Sequence, residues 1–236
     1  MSGLNKGLLI EFYGLPGSGK STLADKVGNE LGRRGFTIRD EAYSMGNRMG
    51  VYKRILSKIL YVLPFLLFHP LQAIRLYRIS GSIAAANKGI HKQLFNMYLV
   101  LSLSRQRRKD SVIRILDQGI VQAIVSMLYN SEENGFKEAA EALTGYIDRD
   151  TVLVYIKAEP ESALARMDKR GKHGSRIEKE PGSDNEKINM LYNMTKQFDC
   201  LTGLLSQYDV LCYENNGNDC NKLVAALVNE IERRIS

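Results

Sequence analysis

The sequence has few of the residues that build disulfide frameworks and zinc sites. It contains only three cysteines and three histidines in 236 residues. Cys200, Cys212 and Cys220 form no C-x-x-C pair and are odd in number, and the histidines are scattered along the chain. These features argue against a disulfide scaffold and against a structural zinc site. They predict reduced thiols in a cytoplasmic protein.

The sequence also lacks a long hydrophobic run. The most hydrophobic stretch, residues 59–68, is interrupted by Pro64 and is much shorter than the roughly 20 residues of a transmembrane helix. No small-residue cleavage site follows the apolar residues after Lys6, so we expect no signal peptide. There is no internal repeat, and no N-K-x-D tetrad of the kind with which a GTPase reads its base. The length predicts one domain over residues 1–236 with an ample core.

The most informative stretch is residues 14–21, which fits G-x-x-x-x-G-K-[ST], the pattern of a phosphate-binding loop. An apolar run that predicts a buried strand precedes it, and Leu23, Val27 and Leu31 follow at helical spacing. Glycines let backbone N–H groups point at phosphate oxygens, and the helix N-terminus adds partial positive charge. The loop therefore predicts a nucleoside triphosphate ligand, ATP. A glycine-rich turn that binds nothing is the alternative, and the strand–loop–helix order argues against it.

The pattern also predicts individual roles within this loop. Lys20 is expected to neutralise the β- and γ-phosphates, and the Ser21 hydroxyl to complete the shell of a Mg²⁺ ion. The net charge of +7 favours an anionic ligand in general. The predicted nucleotide-binding residues are Gly14, Leu15, Pro16, Gly17, Ser18, Gly19, Lys20, Ser21 and Thr22.

A second strand pattern ends in a carboxylate. Residues 112–117 read Val-Ile-Arg-Ile-Leu-Asp, and a helix is predicted from about Ile120. Any buried strand can end in Asp, but this one lies downstream of a phosphate-binding loop and resembles a Walker B strand. Asp117 is therefore predicted to hold Mg²⁺ through water, or to accept the proton of the attacking group.

Three arginines have the spacing expected of a closing lid. Arg166 and Arg170 are four residues apart on one helix face, and Arg176 lies across a glycine-flanked turn. Guanidinium groups suit the charge that spreads over a migrating phosphoryl group, and a mobile loop can bring them in while excluding water. We predict a lid over residues 166–183. The alternative is a solvated basic helix end.

These segments resemble thymidylate kinases and their relatives. Residues 163–171 (Ala-Leu-Ala-Arg-Met-Asp-Lys-Arg-Gly), followed by Arg-Ile-Glu at 176–178, are similar to the lid of that family. Asp117 stands where the family has an Asp-Arg pair. The resemblance implies an ATP- and Mg²⁺-dependent phosphotransferase in which Lys20, Asp117 and the three arginines are catalytic. It also implies acceptor contacts from a helical region over residues 40–108, made by Arg39, Asp40, Glu41 and Arg54.

The chain departs from that family in its acceptor half. Gln118 replaces the arginine of the Asp-Arg pair, and residues 42–44 replace a Pro-Gly-Gly turn. Asp40 and Glu41 are expected to repel a phosphate and to accept hydrogen bonds from hydroxyl groups. A neutral, hydroxyl-bearing acceptor is therefore slightly favoured over a nucleoside monophosphate. An ATP-driven switch, or an ATPase without an acceptor, is the alternative function.

Two further stretches bear on partners. Residues 59–68 are expected to form a packed helix under the lid or a homodimer face in preference to a membrane-docking segment, although the basic residues around them suit an anionic membrane. The basic run 105–109 predicts a solvated helix end, and no nucleic-acid partner is expected because the run contains no aromatic residue. Helix breaks are predicted at Pro64, Pro70 and Gly81.

Five short hydrophobic segments alternate with helical patterns along the chain. They predict strands near residues 8–13, 36–39, 112–117, 151–156 and 210–213. This alternation indicates an α/β fold with a mainly parallel sheet. With the phosphate-binding loop after the central strand, we expect the order 2-3-1-4-5, the three-layer fold of P-loop NTPases, to which a helical acceptor region and an arginine lid are added.

Overall fold

The five predicted strands form one sheet, in which every pair of neighbours is parallel. A computed structural model describes residues 7–39, 51–83, 89–106, 112–129, 131–170, 175–215 and 220–235. The strands are β1 (Leu8–Gly14), β2 (Ile38–Arg39), β3 (Ile113–Leu116), β4 (Thr151–Lys157) and β5 (Val210–Glu214). Their order, β2-β3-β1-β4-β5, confirms the predicted topology.

Helices cover both faces of the sheet. In the described residues they are α1 (Lys20–Arg33), α2 (Val51–Phe68), α3 (Pro70–Ile83), α4 (Ile90–Gln106), α5 (Ile120–Met127), α6 (Glu133–Thr144), α7 (Pro160–Arg170), α8 (Arg176–Lys179), α9 (Asp184–Leu204) and α10 (Cys220–Ile235). Alternate residues of β1 face opposite layers, because successive side chains of a strand point to opposite faces. Ile10 and Phe12 pack with α1 and α10, whereas Leu9 and Tyr13 pack with α4, α5 and α9.

The register brings the carboxyl ends of the strands to one edge of the sheet. Gly14 at the end of β1 pairs with Ile156 near the end of β4, and Glu11 pairs with Leu116 at the end of β3. The residues that follow β1, β3 and β5 therefore meet at this edge, where parallel α/β sheets bind ligands.

An aromatic cluster joins the sheet to α9. Tyr13 and Tyr155 stack with ring centroids 4.9 Å apart, and the Phe198 ring lies 6.0 Å and 5.9 Å from them. All three side chains are buried. The Tyr13 hydroxyl is hydrogen-bonded to Thr202 Oγ1 at 3.0 Å, so this buried hydroxyl has a partner.

The helical segment 51–83 differs from its prediction. α2 runs through Pro64 and α3 runs through Gly81, so the predicted breaks at these two residues are wrong. α2 ends at Phe68 and α3 begins at Pro70, so the predicted break at Pro70 is confirmed. The first N–H groups of a helix have no partner within the helix, so the missing N–H of Pro70 loses no hydrogen bond there. The packed-helix interpretation of residues 59–68 holds for one face only. Val62 and Phe65 are buried, whereas the outward hydrophobic side chains are exposed.

The aromatic cluster makes a prediction about stability. Phe198→Ala should lower the free energy of unfolding by about 3–5 kcal/mol, because it removes a buried ring and leaves a cavity. Lys196→Ala, an exposed change on the same helix, should stay within about 0.5 kcal/mol of the unmodified protein. Urea denaturation of the two variants checks this, and equal midpoints would show that the ring contributes no packing energy.

Candidate active site

The loop between β1 and α1 is curled by glycines at positive φ. Gly17 has φ 81° and Gly19 has φ 87°. A Cβ at Gly17 would collide with the backbone carbonyl of Ala163 in α7, and one at Gly19 would collide with the Asn215 side chain. Ser18 N donates to Leu15 O at 3.1 Å inside the curl. The loop therefore requires glycine at both positions for conformation and for space.

Lys20 begins α1, and its side chain turns back into the loop. The residue is only 7% exposed, and Nζ donates to Leu15 O at 3.0 Å. Burial lowers the pKa of the Lys20 ammonium to about 8, and the negative charge of Asp117 partly opposes that shift. The charge thus lies desolvated at the loop, where an anionic ligand would interact with it strongly.

Ser21 and Asp117 meet beside Lys20, although 96 residues separate them in the chain. Ser21 Oγ donates to Asp117 Oδ2 at 2.7 Å. A hydroxyl and a carboxylate are the hard oxygen donors that Mg²⁺ prefers, and Mg²⁺ fills its remaining positions with water and substrate phosphates. These two side chains fit a Mg²⁺ ion, and their role as its ligands remains a prediction.

Arg166 packs against the phosphate-binding loop. Its Nη2 donates to Asn215 O at 2.8 Å, and its Nη1 lies 3.5 Å from Gly17 O. Asn215 Nδ2 in turn donates to Ser18 O at 2.8 Å. Arg166 and Asn215 together hold the outer side of the loop, from α7 and from the end of β5.

Arg170 is held by an acidic residue of the predicted lid. Its Nη2 lies 3.2 Å from both carboxylate oxygens of Glu178. The Glu178 side chain also accepts from Ser175 N at 2.6 Å, and the Ser175 hydroxyl accepts from Glu178 N, which forms a capping box at α8. Burial raises the pKa of Glu178, but the hydrogen bonds from Ser175 and the charge of Arg170 outweigh it and lower that pKa. The pair ties the end of α7 to the start of α8.

A polar cavity of about 450 Å³ opens beside Lys20. Arg176 lies on its wall, with its guanidinium carbon 5.1 Å from the centre of the Tyr129 ring. Arg176 and Lys20 therefore face the same space from opposite parts of the chain. Six of the seven uncharged polar side chains of the wall come from α4, from the turn after β3 and from α5 with the residues after it: Gln93, Asn96, Gln118, Gln122, Ser126 and Tyr129.

A buried glutamate stands behind the Asp117 turn. Glu11 has no exposed surface, and its Oε1 accepts from Val121 N at 2.6 Å in the first turn of α5. A Cβ at Gly119 would overlap the Glu11 carboxyl group. Burial raises the pKa of Glu11 to about 7, against the backbone N–H bonds that lower it. The carboxyl group thus fixes where α5 begins, directly after Asp117 and Gln118.

The structure brings together most of the residues that the sequence singles out, and their catalytic roles remain predictions. Arg39 is placed elsewhere, in a small cleft with Leu103 and Arg114. Asp40 and Glu41 lie outside the described residues, as do the side chain of Arg54 and the basic residues 107–109.

Sequence reasoning missed Glu11, Asn215 and the polar wall of α4. A charged residue inside an otherwise apolar strand is a signal for Glu11. An asparagine at the carboxyl end of a parallel strand is a signal for Asn215. The polar side chains of α4 carry no such signal in the sequence. They line the cavity only because α4 packs against α5, and that packing is not visible from the sequence.

Comparison with known proteins finds no matching family model and no matching curated protein. Among solved structures, the chain is similar to deoxyadenosine kinase from M. mycoides bound to the products dCMP and dCDP. The TM-score is 0.55 at 13% identity, over 96% of this chain and 100% of the other. It also matches a shikimate kinase from Acinetobacter baumannii in complex with shikimate, with a TM-score of 0.49 at 13% identity, over 98% and 95% of the two chains. The match to the deoxyadenosine kinase, together with the strand order, shows that the chain has the fold of the P-loop kinases.

The Glu11 carboxyl predicts an inverse dependence of stability on pH. Because its pKa rises from 4.5 in the unfolded chain to about 7 in the folded protein, the folded state holds one more proton between these values. The unfolding free energy should thus fall as pH rises from about 4.5 to 7, by about 3 kcal/mol from this group.

Glu11→Gln keeps the acceptor for Val121 N and removes the charge. Relative to this variant, the unmodified protein should lose about 3 kcal/mol between pH 5 and pH 8. Urea denaturation at the two pH values measures the difference. A constant gap between the two proteins would show that Glu11 titrates normally.

Proposed function

We propose that the protein is an ATP- and Mg²⁺-dependent phosphotransferase that transfers the γ-phosphoryl group of ATP to a small acceptor. One observation carries this proposal. The Ser21–Asp117 pair, 2.7 Å apart, lies beside the buried Lys20 at the wall of a polar cavity of about 450 Å³. Phosphoryl transfer needs oxygen ligands for Mg²⁺, a cation beside the phosphates and space for the acceptor, and this arrangement offers all three.

In this function the chain's own groups position and neutralise the phosphates. The loop N–H groups and Lys20 would bind the β- and γ-phosphates, and Ser21 and Asp117 would hold Mg²⁺, which supplies positive charge to the phosphate oxygens. Arg176 would reach the migrating group from the cavity wall. Arg166, already bound to the loop backbone, would keep the loop in shape. Arg170 would join the phosphates only after leaving Glu178.

We propose that the acceptor is neutral and carries hydroxyl groups. The cavity wall bears four carboxamides, those of Gln93, Asn96, Gln118 and Gln122, together with the hydroxyl of Ser126 and the charged side chains of Lys92, Arg176, Lys179 and Glu180. Carboxamides donate and accept hydrogen bonds, so they suit the hydroxyl groups of a sugar or a nucleoside. A fold shared with a deoxyadenosine kinase is consistent with such an acceptor. The transfer makes an O–P bond to the acceptor, breaks the bond from the γ-phosphorus to the bridging oxygen of ATP, and passes the hydroxyl proton to Asp117 or water.

A panel of acceptors tests this function. Deoxynucleosides, nucleoside monophosphates, and sugar and lipid alcohols are each incubated with γ-labelled ATP and Mg²⁺. We expect label on a hydroxyl-bearing acceptor and a fall in turnover of roughly 100-fold or more for Asp117→Asn, because that change removes the charge and keeps the shape. Asp25→Asn, an exposed change on α1, is the matched control and should be silent.

The same panel contains the outcomes that contradict the proposal. Steady phosphate release without any labelled acceptor would mean an ATPase or a switch. Efficient turnover of thymidine monophosphate, with kcat/KM above about 10⁴ M⁻¹s⁻¹, would show that the acceptor carries a phosphate and would contradict the proposed neutral acceptor.

The lowered pKa of Lys20 predicts how nucleotide affinity depends on pH. The free protein loses the Lys20 proton near pH 8, whereas a bound phosphate would hold that proton. The affinity for ATP should therefore fall by up to about tenfold between pH 7 and pH 9. In Lys20→Ala the affinity should be lower at pH 7, by about 1.5–3 kcal/mol, and flat over this range. Isothermal titration at both pH values checks this, and a parallel loss in both proteins would exclude Lys20 as the titrating group.

A further inference from the structure

An exposed apolar face extends along α2 and α3. Of the twelve large hydrophobic side chains that are exposed in the described residues, eleven lie on these two helices. We call them the α2–α3 face: Ile55, Leu56, Ile59, Leu60, Leu63, Leu66, Leu67, Phe68, Leu71, Ile74 and Tyr77. Monomeric proteins rarely expose so many apolar side chains together, so the face marks an interaction site.

The orientation of this face is determined by the opposite side of the two helices. Phe65 of α2 is buried, its ring lies 5.7 Å from that of Tyr98 in α4, and the guanidinium of Arg105 lies over it at 5.1 Å. Tyr98 Oη donates to Ala73 O of α3 at 2.9 Å. Because these contacts hold α2 and α3 on α4, the outward side chains cannot turn inward without breaking them.

The two helices are sharply bent relative to each other. No single helix among the described residues is long and apolar enough to cross a membrane, and the pair Ile55–Phe68 and Pro70–Gly81 reaches that length and composition only with a bend of 107°. The most exposed side chains, Phe68 at 78% and Leu71 at 81%, flank this bend. An amphipathic helix that carries its apolar side chains outward lies in the plane of an interface. The bend therefore carries the most exposed apolar side chains of the face.

The sequence segment that contains this face carries charge of one sign. Residues 42–109 contain twelve lysines and arginines and not one aspartate or glutamate, in a chain whose net charge is +7. Arg75 and Arg78 are exposed at helical spacing with Leu71 and Ile74, on the same side of α3. Basic residues interleaved with exposed apolar ones are the composition of a helix that binds anionic lipid.

A groove opens next to the face. It encloses about 280 Å³ between α2 and α4 and is lined by Ile59, Leu63, Leu66, Leu94, Phe95 and Tyr98. Its first three residues also belong to the α2–α3 face. The apolar surface therefore continues inward from the exposed side chains, which suits an occupant with flexible apolar chains.

We propose that the α2–α3 face docks on an anionic lipid surface. The apolar side chains around Phe68 and Leu71 enter the headgroup boundary, and Arg75 and Arg78 bind the anionic headgroups. A second copy of this chain fits the face less well. A two-fold interface would place the same basic patch on both sides and bring like charges together with no acidic residue from this segment to compensate them.

Vesicle co-sedimentation tests the proposal with the unmodified full chain. Vesicles of phosphatidylcholine alone are compared with vesicles that contain phosphatidylglycerol, at low and high salt. We expect binding to the anionic vesicles only, and weaker binding at high salt. Phe68→Ser with Leu71→Ser should reduce binding at least tenfold. Arg75→Gln with Arg78→Gln should reduce it by about 25-fold, about fivefold for each charge.

The control variants are matched in chemistry and placed away from the face. Arg33→Gln with Arg233→Gln removes two exposed positive charges from α1 and α10, and Tyr192→Ser removes the one large exposed hydrophobic side chain described outside the face. Both should bind as the unmodified protein does. Because all the substituted side chains are exposed, unchanged melting temperatures confirm that the fold is intact.

Three results would overturn the proposal. The first is an absence of binding to anionic vesicles. The second is an equal loss of binding in the control pair and in Arg75→Gln with Arg78→Gln. This result would mean that binding depends on the net charge of the protein and not on the charges of the face. The third is a dimer in sedimentation velocity that Phe68→Ser with Leu71→Ser dissociates, without vesicle binding, since the face would then be an interface between copies. None of these readouts depends on catalysis.

Discussion

The candidate site depends on the close approach of elements that are distant in sequence to the phosphate-binding loop. Gly17 lies against the Ala163 carbonyl, and Ser18 O accepts from Asn215, which is 197 residues further along the chain. Gly14 N is 3.4 Å from Gln122 Oε1 on the opposite side. The curl that points N–H groups at an anion is therefore formed by α5, α7 and the end of β5 as much as by the loop's own glycines. A side chain at Gly17 would push α7, and with it the predicted lid, away from the loop.

The same edge of the sheet buries two ionisable groups of opposite kind. Burial lowers the pKa of Lys20 and raises that of Glu11, so both charged forms are disfavoured for one reason, the loss of hydration. Lys20 recovers this cost when an anion binds. Glu11 recovers part of it from the N–H groups at the start of α5, where the helix dipole favours negative charge. The fold thus buries one cation in the glycine-rich loop and uses a buried carboxyl group to fix the turn that carries Asp117.

The sequence predicts the strands and the phosphate-binding loop because both have local signals, namely apolar runs and a fixed glycine spacing. It places Asp117 beside Ser21 because parallel strands end at one edge. It fails at Pro64, where the tertiary packing of Phe65 and Val62 on α4 holds the helix together across a residue that usually breaks it. It also fails to assign Arg166 and Arg170 separate partners, since a spacing of four residues does not show that Asn215 and Glu178 would arrive from other elements.

The cavity beside Lys20 and the α2–α3 face both involve α4, which has different residues on its two sides. Gln93 and Asn96 line the cavity beside Lys20, while Leu94, Phe95 and Tyr98 line the groove beneath the α2–α3 face. The width of α4, about 10 Å with its side chains, therefore separates the cavity from the apolar surface. If the face lies on lipid, α4 separates the cavity from the side of the protein that contacts the headgroup layer. If both proposals hold, the acceptor would be one that is held at, or delivered from, a membrane surface. A lipid alcohol presented in anionic vesicles should then be phosphorylated faster than the same alcohol in detergent, and equal rates would separate the docking surface from the choice of acceptor.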